Sequence, residues 1–122
     1  MVTRTRASAK SAGTARETQV ATYLATHVDD RIERRTKNGA NDRGDISGLR
    51  VLGNRVVIEV KDYGGKLLPG QWLNETETER GNDAAIAGLV VAKRRGTTDP
   101  GDQYVLTTLR DLIALITGER PQ

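Results

Sequence analysis

Cysteine and phenylalanine are absent from the 122-residue chain, and His27 is its single histidine. Without thiols there are no disulfides, thiolate zinc sites or cysteine nucleophiles, and one imidazole excludes the HNH and histidine-rich metal chemistries. A metal here must sit on oxygen ligands, which favours Mg²⁺ or Mn²⁺. The aromatics are only Trp72, Tyr23, Tyr63 and Tyr104, too few for single strands to stack along. No run approaches the roughly 20 apolar residues of a membrane span. The basic N-terminus is not followed by the apolar stretch of a signal peptide. The expectation is a soluble cytoplasmic protein with no membrane partner.

Leu, Ile and Val number 27, and 29% of residues are charged. That supports one thin aliphatic core in one domain. The net charge is only +3, but the charges are segregated, which makes nucleic acid the leading partner class. Residues 1–13, carrying Arg4, Arg6 and Lys10, read as a flexible basic arm, and residues 14–122 as the single domain.

Val20, Ala21, Leu24 and Val28 mark one face of a helix from Thr14 to about Val28. A short edge strand falls within Arg31 to Lys37. A hairpin follows from Ile46–Leu52 and Arg55–Val60, divided by Gly53-Asn54. Pro69 opens a second helix through Arg80, Gly88–Ala92 is a buried strand, and Gln103–Leu106 is a further strand. Thr107 or Thr108 caps a last helix with the stripe Leu109, Leu112, Ile113 and Ile116, ending at Gly118. The order α-β-β-β-α-β-β-α predicts an α/β fold, a central mixed sheet flanked by helices.

The chemistry concentrates in Gly44-Asp45-Ile46-Ser47-Gly48 and in Glu59-Val60-Lys61. On a strand, Glu59 and Lys61 point to one face, and Ile58 and Val60 to the other. Asp45 enters the neighbouring strand. Two carboxylates bind a hard divalent cation, to which the Val60 carbonyl can add an oxygen. Lys61 can orient or help deprotonate a water and stabilise charge on a phosphate.

With G-D-I-x-G, a hairpin and E-V-K in this order, the chain resembles the PD-(D/E)XK nuclease superfamily, and within it the small archaeal-type Holliday junction resolvases. The resemblance covers Glu17 to Arg95. It implies a restriction-endonuclease-like fold, Asp45 and Glu59 as metal ligands, Lys61 as the catalytic lysine, and Glu17 as a first-helix acid on the metal. Gln71 matches a helix position that some members use near the active site. Thr14-x-x-Glu17 also has the form of a capping box, so Glu17 carries two readings. His27 suits a helix C-terminus.

Strand parity sets a condition. A strict two-residue turn at Gly53-Asn54 would pair Asp45 with Asp62 and put it on the face opposite Glu59 and Lys61. A three-residue loop Leu52-Gly53-Asn54, a bulge near Ser47-Gly48, or a bend at Asp45 restores a common face. Around the acids lie two basic clusters suited to a phosphate backbone: Arg31, Arg34, Arg35, Lys37 and Arg43 upstream, and Lys66, Lys93, Arg94 and Arg95 downstream. Glu75, Glu77, Glu79 and Asp83 make the second helix acidic, with a face expected to point away from DNA or toward a partner subunit.

The expected function is a Mg²⁺- or Mn²⁺-dependent endonuclease on branched DNA, resolving Holliday junctions as a homodimer. Its dimer surface would be the start of the second helix, near Trp72, or the last helix. The alternatives are a restriction- or repair-type endonuclease on linear or single-stranded DNA, and a non-catalytic DNA-binding module.

Overall fold

The computed structural model describes residues 5–36 and 41–122. Its first helix, α1, spans Arg6–His27, and the N-cap Thr5 accepts the Ser8 N–H at 3.0 Å. The helix begins well before Thr14, so residues 6–13, expected as part of an arm, form its first two turns. Ala7, Ala9 and Ala12 supply high helix propensity there, a signal that apolar spacing does not register. Thr14 lies inside the helix, so it cannot cap it, and the capping-box reading of Glu17 falls away.

After α1 come β1 (Glu33–Arg34), β2 (Ile46–Ser47), β3 (Arg50–Val51), β4 (Asn54–Lys61), α2 (Pro69–Asn82), β5 (Ala87–Ala92), a short 3₁₀ turn (Pro100–Asp102), β6 (Tyr104–Leu106) and α3 (Leu109–Thr117). The order across the sheet is β1-β2-β4-β5-β6, with β3 paired to β4. β5 runs parallel to β4 and the other pairings are antiparallel. This is a mixed open α/β sheet flanked by three helices. The extra strand relative to the expected order arises because the first arm of the hairpin is split in two.

Period-two alternation in β4 feeds two cores. Ile58 and Val60 pack with Ile46, Val91, Val20 and Ala21 beneath α1. On the other face Trp72 of α2 packs on Val90 and Ala92. Trp72 is fully buried, so it is a core residue and not an interface anchor. Among the described residues, no helix is long and apolar enough to cross a membrane.

The split in the hairpin decides where Asp45 lies. The turn is Leu52-Gly53, one residue earlier than expected, with φ values of 53° and 79°. Positive φ at both central residues matches strand twist in a two-residue hairpin. Val51 pairs with Asn54 and Arg50 with Arg55, yet Ile46 pairs with Ile58. Ser47, Gly48 and Leu49 therefore stand opposite only Val56 and Val57. This is a β-bulge, and it moves Asp45 onto the face of Glu59 and Lys61.

Two glycines bracket the displaced segment. Gly44 has φ +94°, and a Cβ there would lie 2.8 Å from Val57 Cγ1; Gly48 has φ +96°, and a Cβ there would lie 2.6 Å from the Arg31 carbonyl oxygen. Gly53 also has positive φ, but open space around it. In urea unfolding, Gly44→Ala and Gly48→Ala are each expected to cost about 1–3 kcal/mol, and Gly53→Ala about 1 kcal/mol or less. Equal costs at all three would mean that close packing around Gly44 and Gly48 contributes nothing.

The last helix is capped by Thr108, whose hydroxyl accepts the Asp111 N–H at 3.2 Å. Its expected stripe exists but faces outward: Leu109 is 72% exposed and Ile116 69%, with Leu112 and Ile113 also exposed. The buried residues are Asp111 and Ala114. Asp111 accepts the Gly88 N–H at 2.8 Å and an Arg120 N–H at 2.7 Å. These bonds hold the Asp111 and Ala114 side of α3 inward.

Candidate active site

Asp45 is tied to β4 by both backbone and side chain. Its N–H donates to the Ile58 carbonyl at 2.8 Å, and its carbonyl accepts the Arg35 N–H at 2.7 Å. Its Oδ2 accepts the Val60 N–H at 2.8 Å, and the residue is 1% exposed. Val60 thus enters the site through its amide. Its carbonyl, which in a strand points to the same side as its N–H, is turned the same way.

Glu59 and Lys61 project from β4 beneath α2. Lys61 Nζ lies 2.9 Å from Glu75 Oε2 and 3.7 Å from Glu59 Oε1. Gln71 Nε2 donates to the other Glu75 oxygen at 3.2 Å, so Gln71 reaches the lysine only through Glu75. Burial acts to lower the Lys61 pKa, but the Glu75 hydrogen bond and the Glu59 charge outweigh it and hold the ammonium above lysine's ordinary value. Glu75 is correspondingly held low by its bond to Lys61.

One turn along α2 from Glu75, Glu79 is buried against Glu59. Desolvation pushes the Glu59 carboxyl well above the ordinary range, helped by the Glu79 hydrogen bond and the Asp45 charge and opposed by Lys61. Desolvation also raises Glu79, in spite of its bond to Glu59. Glu59 Oε2 and Glu79 Oε2 are both buried with no hydrogen-bond partner. Asp42 completes the group: one oxygen each from Asp42, Glu59 and Glu79 lie within 4.8 Å of one another. The Asp42 loop is pinned to the end of α2, where Asn82 Nδ2 donates to its carbonyl at 2.9 Å. An all-oxygen set of this kind fits a hard divalent cation.

The acidic helix whose face was expected to point away from DNA or toward a partner subunit therefore supplies two groups of the site, Glu75 and Glu79. Trp72, Thr76 and Glu79 are the buried residues of α2, and Glu75 lies beside them over Lys61. The spacing Trp72, Glu75, Thr76, Glu79 is one helix face, and the tryptophan on it was the available signal. Asp42 had a weaker one, its place in the loop entering Gly44-Asp45.

Glu17 lies elsewhere. It is buried on the α1 side of the sheet, where its Oε2 accepts from Arg34 Nε at 2.7 Å. Arg34 pairs across strands with Ile46 of the α1 core, so Glu17 is on the face opposite Asp45, Glu59 and Lys61. His27 sits exposed in the last turn of α1 with its ring 4.5 Å from that of Tyr23.

The basic residues divide by their partners. Arg34 is held by Glu17, Arg31 by Asp29 at 2.7 Å, and Arg35 by Asp83 at 3.6 Å. Lys93 turns its ammonium onto the carbonyls of Arg94 and Thr97. Arg43, Lys66, Arg94 and Arg95 are exposed, with the Arg94 guanidinium 5.4 Å from the Tyr104 ring centre. Lys37 lies outside the described residues. Gly65, at φ +99°, brings the loop after β4 against Arg95, and the Lys93 N–H donates to the Lys61 carbonyl at 2.9 Å. Lys66, Arg94 and Arg95 thus stand at the C-terminal ends of the parallel strands, the end at which Lys61 emerges.

No family model matches the chain, and neither a curated protein nor a solved structure matches it.

Proposed function

We propose that the chain is a divalent-metal-dependent endonuclease of the restriction-endonuclease-like type, acting in the cytoplasm on branched DNA such as a four-way junction. The observation that carries this reading is the bulge that sets Asp45 beside Glu59 and Lys61 on one sheet face, next to exposed Lys66, Arg94 and Arg95. The resemblance assigns roles to the same three residues that share this face. Asp45 and Glu59 are the carboxylates the resemblance assigns to the metal, the Val60 carbonyl can add an oxygen, and Mg²⁺, with Mn²⁺ as substitute, is the ion such oxygen ligands favour. Such a cation supplies Lewis acidity to the scissile phosphate and to a water molecule.

The chain's own contribution is charge and position. Lys61, held as an ammonium by Glu75, donates to a non-bridging phosphate oxygen and stabilises the charge that builds there. Gln71 steadies Glu75 from the rim. Exposed Lys66, Arg94 and Arg95 hold the flanking phosphates without reading bases. Symmetric cutting of a junction needs two sites related by a two-fold axis, and the chain offers one, so the active species is a homodimer. The outward apolar face of α3 is the surface available for it.

Four-way junction and linear duplex built from the same strands, incubated with and without Mg²⁺, test the reading. The expected result is Mg²⁺-dependent paired nicks in the junction, much slower cutting of the duplex, and binding that weakens steeply with salt. Ile116→Glu, which places a charge on the α3 face, is expected to give monomers that no longer make paired nicks. Equal cutting of both substrates would favour a restriction- or repair-type enzyme. Binding with no cutting in Mg²⁺ or Mn²⁺ would leave a DNA-binding module.

A further inference from the structure

We infer that Glu79 of α2 and Asp42 join Glu59 as the carboxylates that grip the divalent cation, and that Glu17 has no part in holding it. The inference rests on the metal-dependent reading above and changes its ligand set. One oxygen from each of Asp42, Glu59 and Glu79 lies within 4.8 Å of the others. Around Mg²⁺, bonds of about 2.0–2.1 Å put adjacent oxygens about 3 Å apart and opposite ones about 4 Å apart. Small side-chain rotations close the trio onto one ion.

The second observation is independent of that spacing. Glu59 is 6% exposed and Glu79 5%, and each keeps one buried oxygen without a hydrogen-bond partner. A folded chain seldom leaves buried carboxylate oxygens unpaired unless a further positive group completes them. The nearest ammonium, Lys61, stands closer to Glu75 than to Glu59. The trio also has a mouth, because Asp42 is exposed while its partners are buried. The cation would keep open positions on that side for water and phosphate.

Glu17 fails on each count. It lies on the other face of the sheet, and its charge is already met by Arg34 at 2.7 Å. The Arg34 bond satisfies the oxygen that a metal would need.

Mn²⁺ binding to the full chain without DNA, followed by the electron paramagnetic resonance of free Mn²⁺, tests the assignment without reference to cleavage. The wild-type chain is expected to bind Mn²⁺. Glu79→Gln keeps the shape of the side chain and should weaken binding by roughly tenfold or more, while Glu17→Gln should leave it unchanged. Asp42→Asn, on the exposed loop, should weaken binding likewise and serves if Glu79→Gln does not fold. Wild-type binding that survives both Glu79→Gln and Asp42→Asn would overturn this ligand set and leave the metal-dependent reading in place. So would loss confined to Glu17→Gln. A wild-type chain that takes up no Mn²⁺ at millimolar concentration would remove both.

Discussion

Lys61→Ala is expected to lower Mg²⁺-dependent DNA cleavage by roughly 10²–10³-fold, the loss that follows removal of one donor aimed at developing charge. DNA affinity should stay within a few-fold of wild type, because the phosphates are held by Lys66, Arg94 and Arg95. The two readouts separate because Lys61 is half-buried between Glu59 and Glu75. It meets only the phosphate that reaches the acids. Glu59→Ala should be at least as damaging to cleavage. Single-turnover cleavage paired with filter binding measures both quantities. Near wild-type cleavage in Lys61→Ala would dismiss the lysine from the chemistry.

The metal-free protein is expected to become less stable as pH rises from about 5 toward 9. Glu59 and Glu79 both have folded-state pKa values above the ordinary carboxylate value of 4.5. Each binds its proton more tightly folded than unfolded. The stability this contributes is complete below pH 4.5 and is lost as pH passes through the raised values. In a chain this size a change of about 1 kcal/mol moves the melting temperature by roughly 4 °C, so calorimetry will resolve the trend.

Glu79→Gln should flatten the profile and raise the melting temperature at pH 8, although the same change damages metal binding. Mg²⁺ should stabilise the wild type more at pH 8 than at pH 5.5, because the carboxyls must lose their protons to take it. Identical profiles for the wild type and Glu79→Gln would show that the raised Glu79 carboxyl has no bearing on stability.

Much of this site was legible in the sequence because strands have a period of two. Glu59 and Lys61 had to share a face wherever the strand lay. Asp45 was legible only as a condition, since its face depends on a register that one extra residue reverses. The extra residue lies at Gly48, where the chain passes too close to Arg31 for any side chain.

Helices were harder to read. The run Glu75, Glu77, Glu79 looks solvated, and only the packing of Trp72 and Thr76 on β5 turns two of its members inward. The α3 stripe was visible, yet its direction was not. That direction depends on Asp111 bonding to Gly88, a contact between residues far apart in the chain. The start of α1 is not visible in apolar spacing because alanine marks a helix by propensity and not by periodicity.

The burial of Trp72 has an optical consequence. It is the chain's single tryptophan, it is excluded from water, and its ring meets Tyr63 edge-on at 5.2 Å. Tyr63 sits just past Lys61, and Trp72 shares its helix face with Glu75 and Glu79. The indole is therefore a built-in fluorophore one helical turn from Glu75 and two from Glu79, with a tyrosine close enough to pass excitation to it. Its emission reports both the integrity of the α2 core and any movement of the α2 acids, without a label and without DNA.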